Sequence, residues 1–159
     1  MGFGGDVAID CVKASSATLC YMSSQPIRIG RQTLTTLRER SKEKGEPLAR
    51  LAERYIEEGL RAEKHPGIVF RDGPAGRRAG LVGGPDVWEV VGALRSAPER
   101  GEARVAALVE RVGVSEAKAR AAIRYYSEYP EEIDAWIAAN NAEAERLEVV
   151  LAREREFLA

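Results

Sequence analysis

Cysteine and histidine are scarce in this chain: two Cys, at positions 11 and 20, and one His, at 65, among 159 residues. No CxxC spacing and no Cys/His cluster occurs, which argues against a disulfide framework and against a structural zinc site. One histidine leaves little material for His-based catalysis or metal binding. No nucleophile–base pair stands out, so an ordinary enzyme is the weaker reading and neither a cofactor nor a metal is expected. A nuclease would need clustered carboxylates for a two-metal site, and the Arg-rich stretch 65–78 offers only Asp72. The Gly-rich strings GPAGRR and GLVGG match neither GxGxxG nor a P-loop. No apolar run approaches the ~20 residues of a membrane span, and residues 1–21 lack the charged start and apolar core of a signal peptide. A cytoplasmic protein with no membrane partner is expected.

The composition, 45% hydrophobic and 31% charged, is that of a globular chain. The net charge of −1 hides a gradient. Residues 1–24 carry −1, residues 25–84 carry +5, residues 85–126 carry +1 and residues 127–159 carry −6. Such asymmetry fits one end that meets a polyanion and another that meets something else, or two solvated faces of opposite sign.

Residues 1–21, with their Gly and Ser and no sustained period, read as an over-extended reading frame or a disordered arm, and Met22 as the start of the folded protein. QPIRIG at 25–30 alternates Ile27 and Ile29 with Arg28, the pattern of a strand. RQTLTTLRERSKEKG follows with Leu34, Leu37 and Ser41 on one helical stripe, Lys42 and Lys44 in the last turn, and Gly45 as the terminator. Pro47 opens a second helix on which Leu48, Leu51, Ala52, Tyr55, Ile56, Gly59 and Leu60 form an amphipathic face. About forty residues cannot bury enough surface to fold alone, and a lone strand leaves its backbone groups unpaired. Two chains that pair their strands antiparallel over four helices would solve both problems. This strand–helix–helix, with an outward arginine on the strand, resembles the ribbon-helix-helix (CopG/Arc/MetJ-like) DNA-binding family over residues 24–62. The resemblance implies a homodimer whose ribbon reads double-stranded DNA in the major groove. Arg28 is the outward residue able to contact a guanine edge, Ser24 a lesser one, and Arg31, Arg38, Lys42 and Lys44 are candidates for phosphate. Glu46 and Pro47 depart from the family's Ser/Thr chemistry at the start of the second helix, where backbone N–H groups hold phosphate.

Downstream, Ile68–Phe70 and Leu81–Val82 read as short strands about an Asp72-Gly73-Pro74 turn. Asp86 is placed to cap a helix carrying Val87, Trp88, Val90, Val91 and Leu94. A helix through Val105, Leu108, Val109 and Val112, the turn Gly113-Val114-Ser115, and a helix over Ala117–Tyr126 form a helix-turn-helix pattern, with Ser115 as N-cap. Lys118, Arg120 and Arg124 are its candidates for a second DNA contact, or plain exposed charges diluted by Glu110 and Glu116. His65, before Pro66, reads as a turn or packing residue. HPGIVFRDGPAGRR with the helices after it resembles the antitoxin-associated domain of bacterial toxin–antitoxin operons, and residues 24–159 as a whole resemble a VapB-like antitoxin of a type II system. The resemblance implies a cognate toxin, of the PIN ribonuclease type, that the chain neutralises while repressing its own operon from an operator DNA site.

Pro130–Ala159 reads as a long amphipathic helix, with Pro130 in its first turn beside Glu131, Glu132 and Asp134. Its stripe needs a partner surface, on a toxin, on the chain's own domain or on the dimer mate. The toxin-binding candidates are Trp136, Ile137, Leu147, Leu151, Arg153 and Arg155, the two arginines as fingers into an acidic metal site. The expected fold is mainly α with short β: an extension over 1–21, a ribbon-helix-helix over 22–63, a small α+β helix-turn-helix-like domain over 64–129, and an acidic helix over 130–159. The rival reading is a ribbon-helix-helix transcription regulator with no toxin partner, its last helix serving oligomerisation.

Overall fold

The computed structural model describes residues 27–159. Ser24, the first two residues of the expected strand (Gln25 and Pro26), and both cysteines lie outside the described residues. The fold is mainly helical with one small antiparallel sheet: α1 Arg31–Lys44, α2 Leu48–Lys64, β1 Ile68–Gly73, β2 Gly76–Leu81, α3 Val87–Ser96, α4 Glu102–Val112, α5 Glu116–Glu128 and α6 Pro130–Leu158.

Residues 27–30 belong to no strand in the single chain, and the strand expected over Gln25–Gly30 is one that forms only against a second copy. A ladder needs a hydrogen-bonded neighbour, and none lies alongside among the described residues; Gly30 is nonetheless extended, with φ −59° and ψ 146°. Helix α1 ends as its residues dictate. Gly45 adopts φ 62°, a conformation cheap only for glycine. Its N–H donates to the Lys42 carbonyl at 3.3 Å, and that of Glu46 to the Ser41 carbonyl at 3.1 Å, completing a Schellman cap. Pro47 is the N-cap of α2, its carbonyl accepting from the Leu51 N–H at 3.0 Å.

The hairpin is longer than its apolar residues indicated. It pairs Ile68 with Leu81 through to Gly73 with Gly76, so Pro74 and Ala75 form the turn and Val82 lies beyond β2. The added rungs carry Arg71, Asp72, Arg77 and Arg78, which an apolar-run criterion passes over. One core holds the rest together: Ile68 and Leu81 from the hairpin, Val87, Val90 and Val91 from α3, Leu108 from α4, Ala122 and Tyr125 from α5, and Ile133 from α6. Helix α3 starts at Asp86, whose backbone N–H donates to the Glu89 carboxylate at 2.6 Å. Helices α4 and α5 are joined through Gly113, at φ 72°, and Ser115, whose hydroxyl accepts from the Lys118 N–H at 3.4 Å.

The N-terminal helices contrast with this core. Helix α1 has no buried residue and α2 has one, Leu51. Ile27 is 78% exposed, Ile56 52% and Leu60 62%. A chain of ion pairs fixes this pair of helices to the hairpin. Glu46 pairs with Arg54 at 2.5 Å, Arg54 with Glu58 at 3.4 Å, and Glu58 with Arg77 at 2.6 Å. Arg77 reaches Asp72 at 3.3 Å, and Asp72 reaches Lys44 at 2.8 Å.

Candidate functional site

The candidate nucleic-acid residues divide by whether their charge is already met. Arg28, Arg31, Arg38 and Lys42 are exposed and form no ion pair among the described residues. Lys44 is different: its ammonium donates to Asp72 Oδ2 at 2.8 Å, and that hydrogen bond holds the Asp72 carboxyl below the ordinary carboxylate range. At the start of α2, Glu46 would repel phosphate if free. Its carboxylate instead takes the Arg54 guanidinium, which lowers its pKa against a small burial effect and cancels much of its field. Beside it Arg50 is exposed and without an ion pair among the described residues. Arg50 is a cation that the sequence pattern does not single out; its place in the first turn of α2, beside the pair Glu46–Arg54, is visible only once the helices are set together.

The second group is largely consumed within the chain. The Lys118 ammonium donates to the Gly83 carbonyl at 2.8 Å. Arg120 bridges Glu102 at 2.5 Å and Glu116 at 2.7 Å. Arg124 alone of the three is exposed without such a partner among the described residues. Helix α5 turns Ala119, Ala122 and Tyr125 into the core, and the Tyr125 hydroxyl accepts from Arg61 at 3.3 Å and donates to Glu132 at 3.2 Å. Burial raises the Tyr125 pKa, with Glu132 adding to it.

Arg71 and Arg78 also serve the fold. Asp86, 2% exposed, receives the Arg71 Nε–H at 2.8 Å on one carboxylate oxygen and Arg78 on the other. Burial pushes the Asp86 carboxyl up, and the two guanidiniums overcome it, so its pKa lies below the ordinary value. His65 is buried after the end of α2, its ring edge-on to Tyr125 and Tyr129 with centroids 5.3 and 5.8 Å away.

Helix α6, about 43 Å long at 1.5 Å per residue, has two unlike halves. Its first half packs on α3 and α5, burying Ile133 and half-burying Trp136 and Ile137. Of the acidic residues there, Glu132 pairs with Arg61 at 2.7 Å and Asp134 with Arg95 at 2.7 Å, while Glu131 is exposed without an ion pair among the described residues. Glu128, at the end of α5, pairs with Lys64 at 2.5 Å. The second half stands clear. Leu147, Val150 and Leu151 are each about half exposed. Arg155 donates to its own helix, at the Leu151 carbonyl, and Arg153 is exposed. Of the −6 read for 127–159, residues 139–159 carry −2. Of the six toxin-binding candidates, then, Trp136 and Ile137 lie against the chain's own domain, and Leu147, Leu151, Arg153 and Arg155 lie on the free half.

Among the described residues no group of three or more His, Cys, Asp or Glu is placed to hold a metal ion, and no helix is long and apolar enough to cross a membrane. No protein-family model, no curated protein and no solved structure matches the chain.

Proposed function

We propose that the protein is a dimeric, DNA-binding antitoxin that represses its own operon and neutralises a PIN-type ribonuclease toxin. One observation carries the reading. Between Ile27 and Lys64 a single residue, Leu51, is fully buried, while Ile27, Ile56 and Leu60 stand exposed beside solvent-facing cations. Apolar surface of this kind on a short unit belongs against a second copy. Pairing two 27–30 segments antiparallel would satisfy their backbone groups and cover Ile27 and Ile29. Arg28, on the opposite side of such a ribbon, would then face the major groove, with Arg31, Arg38, Lys42 and Arg50 along the phosphates. The ion-paired Arg120 and the tethered Lys118 take no part, and the central domain serves as a mount between the DNA end and the free half of α6.

The test combines sedimentation with fluorescence anisotropy of the full chain on a duplex from its own upstream region, at two salt concentrations. A dimer is expected, with affinity falling steeply as salt rises. Arg28→Ala is expected to weaken operator binding by about 1–3 kcal/mol for each guanine it no longer reads, and random duplex by less. A monomer that binds no duplex at either salt would overturn the proposal. The toxin half is tested by co-purification with the product of the neighbouring reading frame. A DNA-binding dimer that retains no such partner would leave a plain transcription regulator.

A further inference from the structure

Both tryptophans of the chain, Trp88 on α3 and Trp136 on α6, line one cavity of about 300 Å³. It lies where the hairpin turn, through Pro74 and Ala75, meets the stretch of α6 that leaves the domain. The Arg78 guanidinium sits 5.8 Å from the Trp136 ring. It is held by Asp86, which it shares with Arg71, and by the Gly76 carbonyl. Because Glu143 lines the same cavity, the cavity does not call for an anion. The Trp88 indole Nε1 is buried and has no acceptor. A space of this size is at the small end for a metabolite pocket and suits one large side chain. Aromatic-walled pockets are where single anchor residues concentrate the energy of a protein interface.

The cavity does not end at the domain. Trp136, Asn140 and Glu143 line it at i, i+4 and i+7, and Leu147, Val150, Leu151 and Glu154 follow at i+11, i+14, i+15 and i+18. These positions share one helical face, which runs from the cavity along the free half of α6. Among the described residues Glu143 pairs only with Arg146 of its own helix, at 3.5 Å, and Glu154 forms no ion pair. From this continuity and charge we infer that α6 and the Trp88–Trp136 cavity dock a basic amphipathic helix of a partner protein. One bulky apolar side chain of that helix fills the cavity, its apolar face covers Leu147, Val150 and Leu151, and its Lys or Arg residues meet Glu143 and Glu154. A second copy is the poorer occupant, because it would set Glu143 and Glu154 against their like. Identifying the partner as a toxin rests on the function proposed above; the surface itself does not.

The chain has these two tryptophans and no other, so fluorescence excited at the red edge, where tyrosine does not absorb, reads the cavity directly. The probe is a designed Lys-rich amphipathic helical peptide with one Phe anchor, beside the same peptide with Ala there and a Glu-rich version. The Phe peptide is expected to give a saturable blue shift, with binding at least about tenfold weaker for the Ala peptide and none for the Glu-rich one. Ala139→Phe, which fills the cavity from its wall, and the pair Glu143→Lys with Glu154→Lys should each abolish the shift while helicity is retained. No shift with the basic peptide, or an equal response to the Ala or the Glu-rich peptide, would overturn the inference. So would a blue shift that grows with protein concentration alone and tracks a rise in mass, which assigns the face to a second copy. Failure of the antitoxin reading shows separately, as absent salt-dependent DNA binding, and either can fall while the other stands.

Discussion

Asp86→Asn removes the charge at the junction of hairpin and α3 while leaving its shape in place. Removing one partner of a fully buried ion pair costs about 3–5 kcal/mol, because the other charge is stranded. Here the Asp86 side chain is 3% exposed, but its partners Arg71 and Arg78 are 41% and 18% exposed, so water takes up part of the released guanidinium charge. The asparagine also keeps an oxygen at the N-cap and spares the ~1 kcal/mol of that cap. A loss of about 2 kcal/mol is therefore expected, which in a chain of this length lowers Tm by roughly 4–8 °C. Urea denaturation followed by circular dichroism and tryptophan fluorescence measures it. The pH dependence supplies a second check. The folded-state pKa of Asp86 is lowered, so its stabilisation is present above the unfolded value and is lost as pH falls through the folded one. The gap between native protein and variant should narrow below about pH 4. A gap under ~0.5 kcal/mol at neutral pH, or one that persists unchanged in acid, would refute the assignment of Asp86 as a charged hub.

Other outcomes follow from the same geometry. Gly45→Ala forces a β-carbon onto φ 62° and should cost about 1 kcal/mol in thermal or urea unfolding. Leu60→Glu places charge in the exposed apolar patch of α2 and should shift sedimentation toward monomer without unfolding the core. Arg120→Ala should leave DNA affinity within about twofold in anisotropy, whereas Arg38→Ala should weaken it and reduce the salt slope by about one. Truncation after Ala138 should leave Tm nearly unchanged, since the removed residues of α6 are exposed throughout.

Most helices were legible in the sequence because their ends are written in single residues. Gly45 and Gly113 terminate, Asp86 and Ser115 cap, Pro130 opens, and the apolar spacing between them supplies the rest. The strand over 25–30 is a different case, since alternation shows which residues share a face and a ladder requires a second strand beside them. The hairpin was half legible: Ile68 and Leu81 mark its buried end, while the rungs from Arg71 to Arg78 are held by partners on α2 and α3 that no local pattern reveals. The candidate site follows the same rule. Exposed cations on α1 could be read directly, but Lys118 and Arg120 look alike to them in the sequence and differ only through Gly83, Glu102 and Glu116. Trp88 and Trp136 belong to separate helices, so only the packing of α3 on α6 makes them one cavity.

If the chain binds DNA as proposed, the relay Glu46–Arg54–Glu58–Arg77–Asp72–Lys44 bears on how that binding responds to salt. These pairs hold the α1–α2 unit at a set angle to the remainder of the chain, and several of their members are reached by solvent. Added electrolyte screens them while it also competes at the phosphates. Ionic strength thus acts twice, once on the grip and once on the wrist that aims it. The slope of log affinity against log salt would then exceed the number of phosphates touched, and replacing Arg28, Arg31, Arg38, Lys42 and Arg50 singly would give the smaller, true count.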